Sequence, residues 1–398
     1  MMFGGAAGVR DEVGFLIVHQ RYADHFFPGT SVLHTRLRYA LLIPWLYQSL
    51  RTKRPVPKDF GQAFSDLEHE LTGRLKYVEG VGGEKDGVIG GEVFPRTISQ
   101  PPAYVYWTAL TKWGLIGARP DGRPWSRSDM AKLLAASSKR AHHDDDGKPL
   151  ETVTWPIAGL IDAPKGWDTW GDWNDRYSKD DQGKLALDLL PQEQIYLATK
   201  LRAVRSPTDP SEPSLLSKLV GKSLGEADHC WDNEILALAG KEAAMLKRAG
   251  QAAALSAIGR AIYAAQVETL KETRDKRPQP NLHRAALNDA IEQWGKQAAR
   301  LDMDLFLAEI GHLPPAVEGV LKETSTWIRA NGKDPMQLLE VYARAEVSRK
   351  DNRARLASNQ FGVDRRMEWQ GEHHGRAEPL HYRWGNVKRL LRDLEDVA

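Results

Sequence analysis

The sequence is short of cysteine, of long apolar runs and of excess charge of either sign, and each shortage closes off a class of protein. A single cysteine, Cys230, excludes an internal disulfide framework and suits a reducing compartment. No apolar run approaches the roughly 20 residues that a membrane span needs. The opening MMFGGAAGVRDEVG has neither the basic region nor the long apolar core of a secretory signal, so a cytoplasmic protein is expected. Lys and Arg total 55 against 53 Asp and Glu, a net charge of +2. A whole-protein polyelectrolyte is thereby excluded, and any nucleic-acid surface has to be a local patch. Strand-like alternation is almost absent, and no repeat at the periods of solenoid proteins is visible.

What the sequence does have is tryptophan and helical periodicity. The 13 Trp outnumber both the 11 Tyr and the 9 Phe, a bias suited to a packed, partner-rich protein. Residues 30 to 50 predict a helix entered through Thr30 or Ser31 and kinked or ended by Pro44. Residues 59 to 79 predict a second, with Phe60, Phe64, Leu67, Leu71 and Leu75 at steps of three and four. The glycines of EGVGGEKDGVIGGEVFP follow no phosphate-loop or dinucleotide spacing and read as a flexible loop. Two short helices within 101 to 138, joined across a glycine turn, have the outline of a helix-turn-helix.

Beyond an irregular acidic stretch, the pattern is again helical. An alanine-rich helix is expected over 236 to 274, with Leu246, Ala249, Ala253, Ala257 and Ala261 as a stripe that allows close approach of neighbours. The next, over 282 to 310, places Leu287, Ile291, Trp294, Ala298, Leu301 and Leu305 on one face. Residues 335 to 357 and 380 to 396 complete the series. The expected fold is mainly α, with a helix-turn-helix-like segment and long packed C-terminal helices. The expected division is an N-terminal helical domain over 1–141, an acidic connector over 142–182 and a C-terminal helical domain over 183–398.

Three clusters carry groups capable of chemistry. HHDDDG places His142, His143, Asp144, Asp145 and Asp146 together, but adjacent residues diverge in direction and no second ligand group stands at a metal-site spacing. DHCWDNE brings Asp228, His229, Cys230, Asp232 and Glu234 close in sequence, without a thiol-protease signature around the cysteine. GEHHGRAEPLHYRW holds Glu372, His373, His374, His381 and Arg383 but lacks the His-Glu-x-x-His order of a zinc protease. No cofactor and no metal is expected. The charge around that last cluster is more telling: residues 349 to 392 contain eleven Lys or Arg against five acids. Arg349, Arg353, Arg365, Arg366, Arg376 and Arg383, interleaved with Trp369 and Tyr382, predict a surface for phosphates and bases or for an acidic protein partner. Arg36 and Arg38, embedded in an apolar stretch, either tie their helix to a neighbour or hold an anion.

The blocks RDEVG, FPGTSVLHTRLRYALLIPWLY, YWTALTKWGLI and LHYRWGNVKRLLRDLED together resemble an uncharacterised bacterial family, number six-three-six-one among the domains of unknown function. The resemblance runs from about residue 10 to the C-terminus. It implies a setting in anti-phage defence islands, beside helicase and phospholipase D-like genes, and carries over no catalytic residue. The expectation is a non-catalytic, nucleic-acid-associated subunit of a restriction-like assembly, with DNA or RNA and a helicase-like protein as partners. The alternatives are a metal-dependent nuclease using the clusters near 142 to 146 and 372 to 381, and an adaptor that docks onto a helicase.

Overall fold

The computed structural model describes residues 11–80, 87–138, 155–157, 159–164, 167, 186–374 and 377–395. The chain is mainly helical. No strand occurs among the described residues, where Arg205 and Pro213 form an isolated antiparallel bridge. The first helices are α1 Leu16–Phe26, α2 Tyr39–Thr52, α3 Phe60–Gly80, α4 Pro102–Lys112, α5 Arg127–Ser138, α6 Pro191–Arg202 and α7 Leu215–Leu219. They are followed by α8 Asn233–Ala239, α9 Ala243–Thr273, α10 Leu282–Ala299 and α11 Met303–Ile310. The last are α12 Pro315–Arg329, α13 Leu339–Lys350, α14 Gln360–Met367 and α15 Trp384–Arg392. No helix among the described residues is long and apolar enough to cross a membrane.

Two compact units share the chain discontinuously. One is Met1–Ala23 with Gly225–Tyr382, and the other is Asp24–Leu224 with Arg383–Ala398. The sequence instead expects consecutive domains on either side of 142–182, a connector that falls largely outside the described residues.

In the second unit, α2 begins at Tyr39, later than the expected entry at Thr30 or Ser31. Tertiary partners explain the delay. The Thr35 and Arg36 amides both donate to the Tyr106 hydroxyl at 3.1 Å, which itself donates to the Arg36 carbonyl at 2.7 Å. The Leu37 amide donates to Asp393 Oδ2 at 2.7 Å. With these donors satisfied by side chains, a non-helical path loses no backbone hydrogen bond. Pro44 neither ends nor begins α2 but sits inside it. The donor it lacks is offset by burial, since every residue from Tyr39 to Tyr47 is buried. Gly29 is required just upstream: its φ is +84°, and a Cβ there would meet Trp113 Nε1 at 2.8 Å. That indole nitrogen donates to the Pro28 carbonyl at 2.9 Å.

The helix-turn-helix outline is corrected in one respect. Between α4 and α5 stand residues 113–126, far longer than the three- or four-residue turn of that motif. α4 packs on α2, and α5 on α2 and α3, so each helix is held by other helices rather than by a tight turn. Ser126 and Asp129 cap α5 reciprocally: the Asp129 amide donates to Ser126 Oγ at 3.0 Å, and the Ser126 amide to Asp129 Oδ2 at 3.1 Å.

In the first unit, α9 is the central helix and packs against α8, α10, α11, α12 and α14. Its predicted small-residue stripe is buried throughout. Gly259 shows why small residues are needed, because a Cβ there would lie 2.3 Å from the Phe15 ring. The expected long helix is broken at Gly240, whose φ is +59°, separating α8 from α9. The second expected helix is likewise divided into α10 and α11. Asp302 makes that break by accepting from the Asp304 and Leu305 amides and starting a new helix. Leu305 then leaves the shared apolar face and is 49% exposed.

His34 gives the second unit a definite acid sensitivity. Its ring stacks on Tyr106 at 4.1 Å between centroids, and burial pushes its pKa down to about 4, from an ordinary 6.5. The folded state therefore binds fewer protons than the unfolded state between these values, so stability is lost as pH falls from 6.5 towards 4. Glu68, pushed up to about 7 by burial, acts with the opposite sign over part of this range. A His34→Phe variant isolates the histidine. In urea unfolding it is expected to lose about 3 kcal/mol less than the wild type between pH 7 and pH 4. Equal losses in the two proteins would refute the buried, neutral imidazole.

Candidate nucleic-acid interface

Most of the residues expected to form a basic, aromatic surface near the C-terminus are committed to internal contacts. Arg366 is 1% exposed and grips Asp275 with two bonds of 2.7 and 2.8 Å, while also donating to the carbonyls of Arg355 and Ala357. Trp369 is buried beside His283, with 4.9 Å between ring centroids. Tyr382 is buried and donates to the Ala249 carbonyl at 2.8 Å. Arg349 pairs with Asp11 at 2.7 Å and Arg365 with Glu368 at 2.7 Å. Arg383 donates to Asp24 Oδ1 and to the Thr30 carbonyl, each at 2.7 Å. Arg353 is exposed. Arg376 lies outside the described residues, as do His142, His143 and Asp144 to Asp146.

Arg36 and Arg38 are structural as well. Arg38 is fully buried, donates to Glu193 Oε1 at 2.8 Å and also bonds the Ala186 carbonyl. Arg36 bridges Asp393 at 3.0 Å and Asp188 at 2.6 Å. Burial alone would push Asp393 up, and the Arg36 guanidinium opposes that shift. At Arg38 the expectation of anion binding is corrected on physical grounds, because a closed guanidinium already neutralised by a carboxylate offers a phosphate neither access nor net charge. Arg36 is half-buried, and its charge is met by Asp393 and Asp188. Cys230 is fully buried, and burial pushes its thiol well above the ordinary range, which disfavours the thiolate.

Unpaired positive charge stands elsewhere in the second unit. Between Leu37 and Lys58 the sequence contains no acid, and the last turn of α2 with the stretch after it exposes Arg51, Lys53, Arg54 and Lys58. None of the four pairs with a carboxylate among the described residues. Arg51 lies over the Trp155 ring, 4.8 Å from its centroid, and Arg54 donates to the neighbouring Lys53 carbonyl. Two residues of the 101–138 segment extend this edge. Arg127, at the start of α5, lies 5.1 Å from the ring centroid of Tyr104, a residue that is 49% exposed. Arg127 is also near enough to Tyr47 to oppose the upward push that burial gives that hydroxyl, and Tyr47 stands one helical turn before Arg51. Guanidinium groups over accessible rings, beside further free cations, are the components of a surface for phosphates and stacked bases. The sequence carried a signal for this edge, the long acid-free interval, but a count of basic residues per segment overlooks it.

Residues 3–139, about a third of the chain, match the model of a family of unknown function, DUF6361. The match includes α1 to α5 and the exposed basic stretch. No curated protein and no solved structure matches the chain.

The Arg38–Glu193 pair is open to a direct test. Arg38→Met leaves Glu193 buried without its counter-charge and is expected to destabilise the protein by about 3–5 kcal/mol in urea unfolding. Adding Glu193→Gln should recover most of that loss, because the amide keeps the shape without the charge. A single variant as stable as the wild type would show that no buried pair exists.

Proposed function

We propose that the protein is a non-catalytic, nucleic-acid-associated subunit that binds through the basic edge formed by Arg51, Lys53, Arg54 and Lys58, flanked by Arg127 over Tyr104. The observation that carries this reading is the exposure of four cations within residues 51–58, none with a carboxylate partner among the described residues. Phosphates supply the missing counter-charge. The accessible Tyr104 ring supplies a stacking face with no preference for a particular base. In the anti-phage, restriction-like setting that the resemblance implies, the subunit would hold DNA or RNA for a helicase-like partner.

The test is fluorescence anisotropy with labelled single- and double-stranded DNA and RNA over a series of salt concentrations. Four phosphate contacts give a slope of log affinity against log salt near −4 on duplex DNA, hence about a hundredfold loss between 50 and 200 mM salt. Replacing Arg51, Lys53, Arg54 and Lys58 together by Gln should remove most of that slope without lowering stability, since exposed unpaired charges contribute little to the fold. Replacing Arg349 and Arg365 should leave binding unchanged. Absence of binding at low salt, or binding indifferent to the four-fold change, would overturn the reading in favour of a protein adaptor.

A further inference from the structure

The first unit contains a cavity of about 820 Å³, a size typical of small-molecule sites. Its construction follows from the α9–α10 pair. Ala261 and Ala264 of α9 and Ala286 and Ala290 of α10 line it, so short side chains leave space where two helices face each other. The chain around Glu372, His374 and His381 forms another wall. Asp228 and His229 close a corner, with His229 stacked on Trp231 at 4.7 Å between centroids. Two sequence clusters that look unrelated, DHCWDNE and GEHHGRAEPLHYRW, thus contribute to one concave surface.

The cavity has a definite charge plan. Its one arginine is Arg260 on α9, half-buried, with a hydrogen bond of 3.1 Å to the Glu378 carbonyl and no salt bridge among the described residues. Burial works against the charged form of this guanidinium, although Glu378 and Asp11 partly restore it. An arginine so placed keeps donors for a planar anion such as a carboxylate. Against this single cation stand Asp228, Asp289, Glu372 and Glu378, a net charge of −3 with the imidazoles neutral. All four are exposed side chains. Trp294 adds an aromatic wall, its ring 6.4 Å from that of His229. A dianionic phosphate is disfavoured by the excess of carboxylates. A ligand with one carboxylate and two cationic nitrogens satisfies every group: the carboxylate meets Arg260, while the cations meet the acidic wall and the indole face. Among the described residues no three His, Cys, Asp or Glu converge on a common point that a metal ion could occupy.

We propose that this cavity binds a basic amino acid, free or as the carboxy-terminal residue of a peptide, with its carboxylate on Arg260 and its side-chain cation among Asp289, Glu372 and Trp294. The site lies in a different unit from the basic edge, so either proposal can fail without the other.

The test is isothermal titration of the full chain with L-arginine, L-lysine, Gly-Gly-Arg, L-argininamide, L-citrulline and inorganic phosphate. Binding of L-arginine, or of Gly-Gly-Arg, at least tenfold tighter than argininamide and citrulline supports the assignment. Tighter binding of the tripeptide identifies a peptide end as the ligand, and tighter binding of the free amino acid identifies the metabolite. Arg260→Gln should erase the distinction between L-arginine and its amide, and Asp289→Asn should narrow that between L-arginine and citrulline. Thermal unfolding confirms that each variant is folded. Asp289→Asn changes an exposed residue and so keeps the proposal testable if Arg260→Gln fails to fold. No heat with L-arginine, L-lysine or Gly-Gly-Arg would overturn the proposal. So would phosphate binding more tightly than these three, or discrimination that survives both substitutions.

Discussion

A buried carboxylate at the start of a helix organises the first unit. Glu268 is 1% exposed, yet it accepts from three consecutive amides of α10: Leu282 at 2.8 Å, His283 at 3.1 Å and Arg284 at 2.9 Å. These are among the donors that a helix leaves unpaired at its first turn, and the positive end of the helix dipole favours the anion placed there. Arg284 lies 3.4 Å from the same carboxylate and supplies a counter-charge. The cost of burying Glu268 is thus offset by four interactions at one point. The result is a fixed junction between α9 and α10, the two helices that line the cavity. His283 is held there by its backbone, and its Nε2 lies 2.9 Å from the Gly371 carbonyl. The chain that forms the opposite wall is tied to the junction through that contact.

The second unit depends on side chains that act as substitutes for backbone partners. The Tyr106 hydroxyl takes two amide protons and gives one to a carbonyl, all within residues 35 and 36. Asp393 takes the Leu37 amide and holds Arg36. Glu68 accepts from the Ala103 amide at the first turn of α4, where Pro101 and Pro102 offer no donors of their own. In each case a polar side chain from a distant part of the sequence satisfies a chain segment that would otherwise need water. The irregular path from Phe27 to Arg38 is therefore as well determined as the helices that flank it.

This reliance on distant partners explains what the sequence made legible. Helix existence came through clearly, because burial at steps of three and four is a local signal; α3 and the buried stripe of α9 follow it closely. Some boundaries are also local in cause: Ser126 with Asp129, Asp302, and Gly240 each act on neighbouring residues. The start of α2 is not, since the groups that hold residues 35 to 37 out of a helix lie at 106 and 393. Site residues suffer more severely from the same limit. A run of eleven basic residues suggests a basic face only if its counter-charges are assumed to be nearby in sequence. Asp275 is 91 positions from Arg366, and Asp11 is 338 from Arg349. No window of sequence contains both members of either pair.

Near-neutrality overall therefore conceals a separation of charge that only the fold reveals. Acids and bases are almost equal in number, and many of the arginines are paired across long sequence separations, which removes both signs from the surface together. Two of the places where charge stays unpaired bear on function. One is a group of cations at the end of α2 and just beyond it, with no acid between Leu37 and Lys58 and no carboxylate partner among the described residues. The other is a cavity in which four carboxylates face one arginine. Residual charge of each sign, left where the fold provides access, is where an external counter-charge contributes most, since no internal partner has to be displaced before it binds.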